Sequence, residues 1–265
     1  MLRIVPLVTV LVCAHALTAD VQWTETPKNG PPRFNSELRI AVDGYYSESH
    51  QVKTSDGYIL EMNRIPNPRF VIGPIRPRSK PVVFLMHGLQ SAFTAFIAAG
   101  HRIGLGNYYV YNVLFLLFTF VYKKSFIFFP AYILADAGYD VWMGNARGVM
   151  NSRRHVWLNP DAEEDKLEFF DYTYEDIATK DLPAMIDFVL RTTQQEQLNY
   201  IGHSQGGTVF LVLNSLMPAY NSKFTSAHLL AGVGHQNYFP NSVLGVAATS
   251  TDLIFVSRRQ ISIYP

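Results

Sequence analysis

Residues 202–206 read GHSQG, a G-x-S-x-G pattern that places a serine between two glycines. A strand-like run with β-branched and aromatic residues, 198–201, precedes the pattern, and an apolar run, 206–213, follows it. A serine at a sharp strand-to-helix turn needs small flanking residues, and the turn exposes its Oγ to a base. We therefore predict that Ser204 is the nucleophile of a serine hydrolase core. The alternative is an ordinary structural turn.

Acyl transfer through a serine also needs hydrogen-bond donors for the oxyanion that forms on the attacked carbonyl. The backbone N–H of Gln205 lies at the start of the predicted helix and can be one donor. A second donor usually comes from the loop after an earlier strand. The apolar run 81–86 is of strand length, and HGLQ follows at 87–90. We predict the N–H of Leu89 as the second donor, against the alternative of a simple strand-ending turn.

Strands and helices alternate around these residues, which predicts an α/β fold with a mainly parallel sheet covered on both faces. Asp181 is predicted to cap a helix at 182–190, with Pro183 in its first turn. Ser55-Asp56-Gly57 predicts the turn of a β-hairpin. The other predicted elements are hairpin strands at 50–54 and 58–62, further strands at 81–86, 139–143 and 198–201, and a helix at 131–137.

A complete serine triad also needs a general base and an orienting acid, in the order serine, acid, histidine for this type of fold. After Ser204 the chain offers one acid, Asp252, and two histidines, His228 and His235. Both histidines precede the acid, so the order cannot be met. We predict that the base and the orienting acid are missing from this chain.

The remaining polar candidates are interpreted as structural. Arg147 follows a predicted strand, and we expect it to bond loop carbonyls rather than to act in the site. His203 is expected to pack within the turn. His50 and His155 are interpreted as surface residues or as buried histidines with satisfied partners.

Composition excludes several classes of function. A chain of 265 residues with a formal net charge of +1 suits one large domain and makes nucleic acid an unsuitable partner. No cofactor or metal pattern is found. Residues 1–19 are predicted to be a signal peptide, with Arg3, an apolar core and small residues at the cleavage site, although an uncleaved anchor is the alternative. The only cysteine, Cys13, would leave with this segment.

Several blocks of the sequence resemble the acid lipase family, the gastric and lysosomal lipases and their invertebrate relatives. The resemblance covers roughly 40–95 and 131–217. It is carried by Gly44-Tyr45 with residues 48–66, by HGLQS at 87–91, by AYILADAGYDVWMGNARG at 131–148, by DLPA at 181–184 and by GHSQGG at 202–207.

The resemblance implies an α/β-hydrolase fold and hydrolysis of neutral lipid esters, such as triacylglycerols or sterol esters, at a lipid–water interface. The chain would act through an acyl-enzyme on Ser204, with Leu89 and Gln205 as oxyanion donors. Secretion or lysosomal delivery is implied, without a cofactor and without an obligate protein partner.

The sequence departs from the family pattern in two places. An apolar and aromatic segment, about 101–130, is inserted into the predicted domain 20–265, and the pattern fades after about His228. We therefore expect a truncated or misassembled gene product. The inserted segment is expected to be buried, to contact lipid or to be translated intron. A membrane span at 108–122 is the less favoured alternative. The alternative function is a catalytically incomplete lipase-like protein that binds lipid or membrane without turnover.

Overall fold

A computed structural model describes residues 36–73, 78–97, 130–149 and 151–234. The predicted signal peptide, residues 101–129 of the predicted insertion, His235 and Asp252 all lie outside these ranges. Within the ranges described, no helix has the length and apolarity that a membrane span needs.

The described elements follow the alternation that the sequence predicts. In chain order they are α1 Ser36–Val42, β1 Glu48–Lys53, β2 Tyr58–Ile65, β3 Val82–Met86, a 3₁₀ turn Phe93–Phe96, α2 Pro130–Asp136, β4 Asp140–Gly144, β5 Arg154–His155, α3 Glu163–Phe169, α4 Tyr174–Asp176, a π-helical segment Ile177–Asp181, α5 Leu182–Thr193, β6 Leu198–His203, α6 Gln205–Leu216, a 3₁₀ turn Pro218–Lys223 and β7 Phe224–Leu230.

One mixed sheet contains all the described strands, in the order β1-β2-β4-β3-β6-β7, with β5 paired to β2. The strands β4, β3, β6 and β7 run parallel, whereas β1 and β2 form the predicted antiparallel hairpin. Met86 pairs with both Gly144 and Gly202, so β3, β4 and β6 end at the same edge of the sheet. This edge is where loops after parallel strands can form a site.

Helices cover both faces of the sheet, as predicted. β3 alternates between the two cores, because Phe84 packs with α5 and α6 on one face while Leu85 packs with α1 and α2 on the other. Every residue of β3 and β4 is buried. Such strands read as continuous apolar runs rather than as alternating ones, which explains why 81–86 was recognisable in the sequence.

The predicted cap at Asp181 is wrong. Asp181 has helical backbone angles, and its side chain makes no capping hydrogen bond, because the π-helical segment runs directly into α5. Its fully buried carboxylate instead binds Arg147, which lies in the loop after β4. A residue that local pattern assigns to a helix start is therefore used for a tertiary ion pair.

Candidate active site

Ser204 occupies the turn between β6 and α6 with φ 51° and ψ −115°. Residues other than glycine rarely adopt a positive φ, and such a backbone conformation costs on the order of 1–3 kcal/mol. The turn is held by its neighbours: the Ser204 N–H donates to the Leu230 carbonyl at 2.9 Å, and the Ser204 carbonyl accepts the Gly207 N–H at 2.9 Å. The strained serine is therefore fixed by the backbone around it.

The two flanking glycines are required by close backbone approach. A Cβ at Gly202 would lie 2.6 Å from the carbonyl oxygen of Gly206. A Cβ at Gly206 would lie 2.3 Å from the carbonyl oxygen of Met86, at the end of β3. Since both obstacles are backbone atoms, no side-chain rearrangement could relieve them. The predicted turn, with a partly exposed serine between obligatory glycines, is thus present.

The loop after β3 lies against the serine. A Cβ at Gly88 would be 3.1 Å from the Ser204 Cβ. Gly88 begins a turn in which its carbonyl accepts the Ser91 N–H at 3.3 Å, and Gln90 has a φ of 55°, as the third residue of a type II turn does. The N–H of the second turn residue, Leu89, is not used by the turn. Among the described residues it has no acceptor.

A cavity of about 840 Å³ opens beside this loop. Its walls come from the loop after β3, the loop after β4 and the start of the α4 helix. Ser204 itself does not line the cavity, but Gln205 and Gly88 do, so the serine lies at its margin. The lining apolar side chains are Leu89, Ala92, Ala95, Ala146, Val149 and Ile177.

None of the described histidines is placed to act as a base toward Ser204. His50 contacts Glu48 through Nε2 at 3.0 Å, and the Nε2 atom of His155 bonds the Asp56 carbonyl at 2.8 Å. His228 lies on the exposed β7, where its Nε2 atom is 3.3 Å from the Ser226 hydroxyl. Among the described residues no side chain is hydrogen-bonded to the Ser204 hydroxyl. His203 is exposed rather than packed within the turn, contrary to expectation.

Arg147 forms a buried charge network beside the cavity. Its guanidinium donates to the Asp181 carboxylate at 2.7 and 2.9 Å and to the Asp56 carboxylate at 2.7 and 3.1 Å. Its own backbone N–H donates to Asp181 at 2.9 Å, and the ring of Tyr58 lies 4.0 Å below the guanidinium. The interpretation of Arg147 as structural is consistent with these contacts, but its partners are carboxylates and not loop carbonyls.

Burial raises the pKa of Asp181 to about 6, even though Arg147 lies beside it. Since Asp181 is protonated in both states below about pH 4, its contribution to stability is fully present there and is lost as the pH rises through about 6. As the pH rises from about 4 to 7, the wild type should therefore lose stability relative to Asp181→Asn, which has no titratable group at this position. Urea unfolding across this pH range measures the change.

Asp56→Asn is the matched comparison, because the stability that Asp56 contributes should depend on pH in the opposite direction. Burial tends to raise the pKa of Asp56, but hydrogen bonds from Arg147 and Thr54 hold it well below its usual range. The stability that Asp56 contributes is therefore present above about pH 4 and is lost as the pH falls below that value. Parallel pH profiles for the two variants would contradict this assignment of charges.

Two structural supports of the site were not predicted from the sequence. The Asn145 Oδ1 atom accepts the Phe93 N–H at 2.9 Å and so ties the loop after β4 to the 3₁₀ turn beyond the loop after β3. Asp181 was recognised only as a helix cap. The motif NARG at 145–148 marked the loop, but nothing in its local sequence indicates which distant residues it bonds. In the part of the chain that the structure describes, no cluster of His, Cys, Asp or Glu is arranged to hold a metal ion.

The sheet order, the strained serine after β6 and the loop after β3 define an α/β hydrolase. Residues 123–251 match the family model described as alpha/beta hydrolase fold, and residues 38–100 match the one described as partial alpha/beta-hydrolase lipase region. The match over 123–251 extends beyond 217, the last residue to which the motifs carried the resemblance. Residues 101–122 lie between the two matched ranges.

Curated relatives specify the family further. The chain is 36% identical over 238 residues to gastric triacylglycerol lipase of Homo sapiens, with 90% of this chain and 51% of that protein covered. It is 42% identical over 193 residues to Lipase 3 of Drosophila melanogaster (72% and 41% covered), and 38% identical over 226 residues to Lipase member M of Homo sapiens (84% and 46%). The chain belongs to the lipase family that includes the gastric triacylglycerol lipases. It spans about half the length of these relatives.

Proposed function

We propose that the chain carries the nucleophile and oxyanion site of a serine ester hydrolase that acts on neutral lipid esters. The observation that supports it most is the position of Ser204: a strained serine, fixed between obligatory glycines, with Gly88 of the loop after β3 against it. Strain of this kind persists where the surrounding structure enforces it, and it is concentrated at functional sites.

In the proposed reaction the Ser204 Oγ atom attacks the ester carbonyl carbon. The new Oγ–C bond forms while the carbonyl oxygen becomes an oxyanion, which accepts hydrogen bonds from the N–H groups of Leu89 and Gln205. The N–H of Gln205 is free for this role because the first turn of a helix has no internal acceptors for its N–H groups. Collapse breaks the ester C–O bond, the alcohol leaves with the serine proton, and water then cleaves the acyl-enzyme.

Proton transfer in this scheme needs a base, and the proposal assigns that role to no described residue. The described histidines hydrogen-bond other groups or, in the case of His203, have no bond to the serine hydroxyl. An oxyanion hole and substrate binding alone retain about 10³–10⁴-fold acceleration over water in serine enzymes whose triad is removed. Acylation is therefore the step on which the proposal can be tested.

The apolar wall of the cavity supports a lipid ester as the substrate. A volume of about 840 Å³ lies in the range of small-molecule sites, and its apolar lining includes the side chains of Leu89, Val149 and Ile177. Triacylglycerols, named for the gastric lipases among the relatives, fit this chemistry. The proposal therefore includes triacylglycerols and sterol esters as substrates at a lipid–water interface.

Covalent labelling with an alkyl fluorophosphonate tests the proposal. We expect the wild type to be labelled on the peptide that contains Ser204, because phosphonylation uses the same nucleophile and the same donors as acylation. Ser204→Ala should not be labelled. Mass spectrometry of the digested protein identifies the modified residue.

Ser91→Ala provides the control, since Ser91 lines the cavity but lies outside the strand-to-helix turn at 202–206, the elbow that carries the nucleophile. It should be labelled as the wild type is. Equal labelling of Ser204→Ala and the wild type would remove Ser204 as the nucleophile. A folded wild type that binds lipid vesicles without any labelling would favour the alternative of lipid binding without turnover.

We further propose that residues 1–19 are a cleaved signal peptide, that residues 20–265 form the hydrolase region with its insertion at about 101–130, and that the protein is secreted or lysosomal. The charged start and short apolar core of the first segment support this. N-terminal sequencing of protein recovered from the medium of expressing cells should begin after residue 19. Retention of residues 1–19 would favour the uncleaved anchor.

A further inference from the structure

His87 lies at the end of β3 and is almost completely buried, at 3% exposure. Its Nδ1 atom is 2.7 Å from the carbonyl oxygen of Gly88, and its Nε2 atom is 3.1 Å from the backbone nitrogen of Ala146. A carbonyl oxygen can only accept and an amide N–H can only donate. The two bonds together therefore require the neutral imidazole with its proton on Nδ1.

The bond to Gly88 determines the direction of the neighbouring N–H. The Gly88–Leu89 peptide is trans, as are the other described peptide bonds, so its C=O and N–H point in opposite directions. Because the C=O is directed at the His87 ring, the Leu89 N–H is directed away from it. The Ser91 N–H also reaches the Gly88 carbonyl, but at 3.3 Å it is the longer contact.

The bond to Ala146 connects the imidazole to a rigid anchor. Ala146 is followed directly by Arg147, whose backbone N–H and guanidinium both bind the buried Asp181. The His87 ring thus bridges two loops, one that carries the Leu89 N–H and one that is fixed by an ion pair. Because both ring nitrogens are already hydrogen-bonded, neither can accept a proton from the serine, and His87 does not act as the base.

We propose that His87 is a positioning residue for the oxyanion site: its neutral Nδ1–H form holds the Gly88–Leu89 peptide so that the Leu89 N–H faces the carbonyl attacked by Ser204. This inference rests on the proposed function for its catalytic consequence. Burial supports the neutral form, because it lowers the pKa of His87 to about 4.

Two substitutions separate the two bonds of the ring. The amide nitrogen of His87→Asn occupies about the position of Nδ1 and can still donate to Gly88, but this variant loses the acceptor for Ala146. The amide oxygen of His87→Gln reaches about the position of Nε2 and can still accept from Ala146, but this variant loses the donor to Gly88. His87→Asn removes more volume than His87→Gln, because asparagine is one methylene shorter, so a packing loss alone would make His87→Asn the less stable variant in thermal unfolding.

The first readout does not depend on activity. In ¹⁵N NMR of the full chain, the wild-type His87 ring should show a protonated Nδ1 and an unprotonated Nε2 at neutral pH. The Leu89 amide resonance should shift strongly in His87→Gln and little in His87→Asn, while Ala146 should show the reverse. A ring protonated on Nε2, or a Leu89 amide that is unchanged in His87→Gln, overturns the inference.

The second readout is the rate of labelling of Ser204 by the fluorophosphonate at saturating and subsaturating concentrations. Loss of one oxyanion donor lowers the rate of acyl transfer by about 10²–10³-fold, so His87→Gln should lose about 10²-fold in the maximal rate and His87→Asn about threefold. Equal losses in the two variants would indicate a merely structural role. If Ser204→Ala is labelled as fast as the wild type, the proposed function fails, while the NMR result still decides whether His87 holds the peptide.

Discussion

Replacing Gly206 by alanine should lower the free energy of unfolding by about 3 kcal/mol, the upper part of the range for inserting atoms into a packed interior. The new Cβ would lie 2.3 Å from the Met86 carbonyl oxygen and 2.9 Å from the His87 carbonyl oxygen. Both belong to the backbone where β3 ends, and β3 is buried and paired on both sides. The collision can therefore be relieved only by moving α6 away from the strand.

The same displacement should reduce labelling of Ser204. Moving α6 shifts the Gln205 N–H, and moving the end of β3 shifts the loop that carries the Leu89 N–H. Because oxyanion donors act over about 2.7–3.1 Å, a shift of a few tenths of an ångström removes much of their effect. Chemical unfolding monitored by tryptophan fluorescence gives the stability, and the labelling assay gives the effect on the site.

Alanine substitutions at two other glycines distinguish the effect of the steric collision from the effect of losing a glycine. Gly138, after α2, has a φ of 92° but open space around a Cβ. Gly138→Ala should cost about 1–2 kcal/mol through backbone strain alone and leave labelling unchanged. Gly207→Ala, with its nearest contact at 3.0 Å, should fall between the other two in its effect on labelling. Equal effects of Gly206→Ala and Gly138→Ala would show that close approach at the elbow does not matter.

The elements of the fold could be predicted because their signals are local. The buried strand β3 is a continuous apolar run, and the β1–β2 turn contains Gly57, whose φ of 101° few other residues adopt. The elbow is equally local, since Gly202 and Gly206 are four residues apart and contact each other. Ser204 and Gln205 could therefore be placed at one turn from the sequence, whereas Leu89 followed from the usual origin of the second donor in the loop after an earlier strand.

The contacts that hold the site together could not be predicted in this way. Arg147 lies 91 residues from Asp56 and 34 residues from Asp181, and neither spacing has a periodicity that a sequence pattern could reveal. Asp181 also precedes a proline-containing helix, so the local signal favoured a cap. The local preference for a cap does not decide the role of Asp181, because leaving the buried guanidinium of Arg147 without a carboxylate costs more free energy than leaving the continuous helix without a cap.

Replacing Arg147 by methionine should destabilise the protein by about 3–5 kcal/mol near neutral pH, which is the usual cost of removing one partner of a buried ion pair. Asp181 is fully buried, and methionine would leave its carboxylate without a counter-charge. Asp56 would lose two hydrogen bonds but would retain Lys180 at 3.2 Å. Urea unfolding at pH 7, compared with the wild type, measures the loss.

The exposed pair Arg153–Asp161 supplies the matched control. Its N–O distance of 2.7 Å equals that of Arg147 to Asp181, but its side chains are 30% and 79% exposed. Arg153→Met should therefore cost no more than about 1 kcal/mol, because water already screens that pair. A similar loss in the two variants would mean that burial does not decide the energy of the network.

The double variant Arg147→Met/Asp181→Leu distinguishes a network that stabilises the fold from one that is only costly to break. Replacing both members of a buried pair by apolar residues is often neutral or stabilising, so the double variant should recover most of the loss of Arg147→Met. Recovery will not be complete, because the Arg147 backbone N–H loses its acceptor as well. That N–H belongs to the loop to which His87 is anchored through Ala146, so a stable double variant with slower labelling of Ser204 would show that the network serves the site. If the two substitutions are simply additive in stability, the uncompensated charge on Asp181 is not the source of the loss.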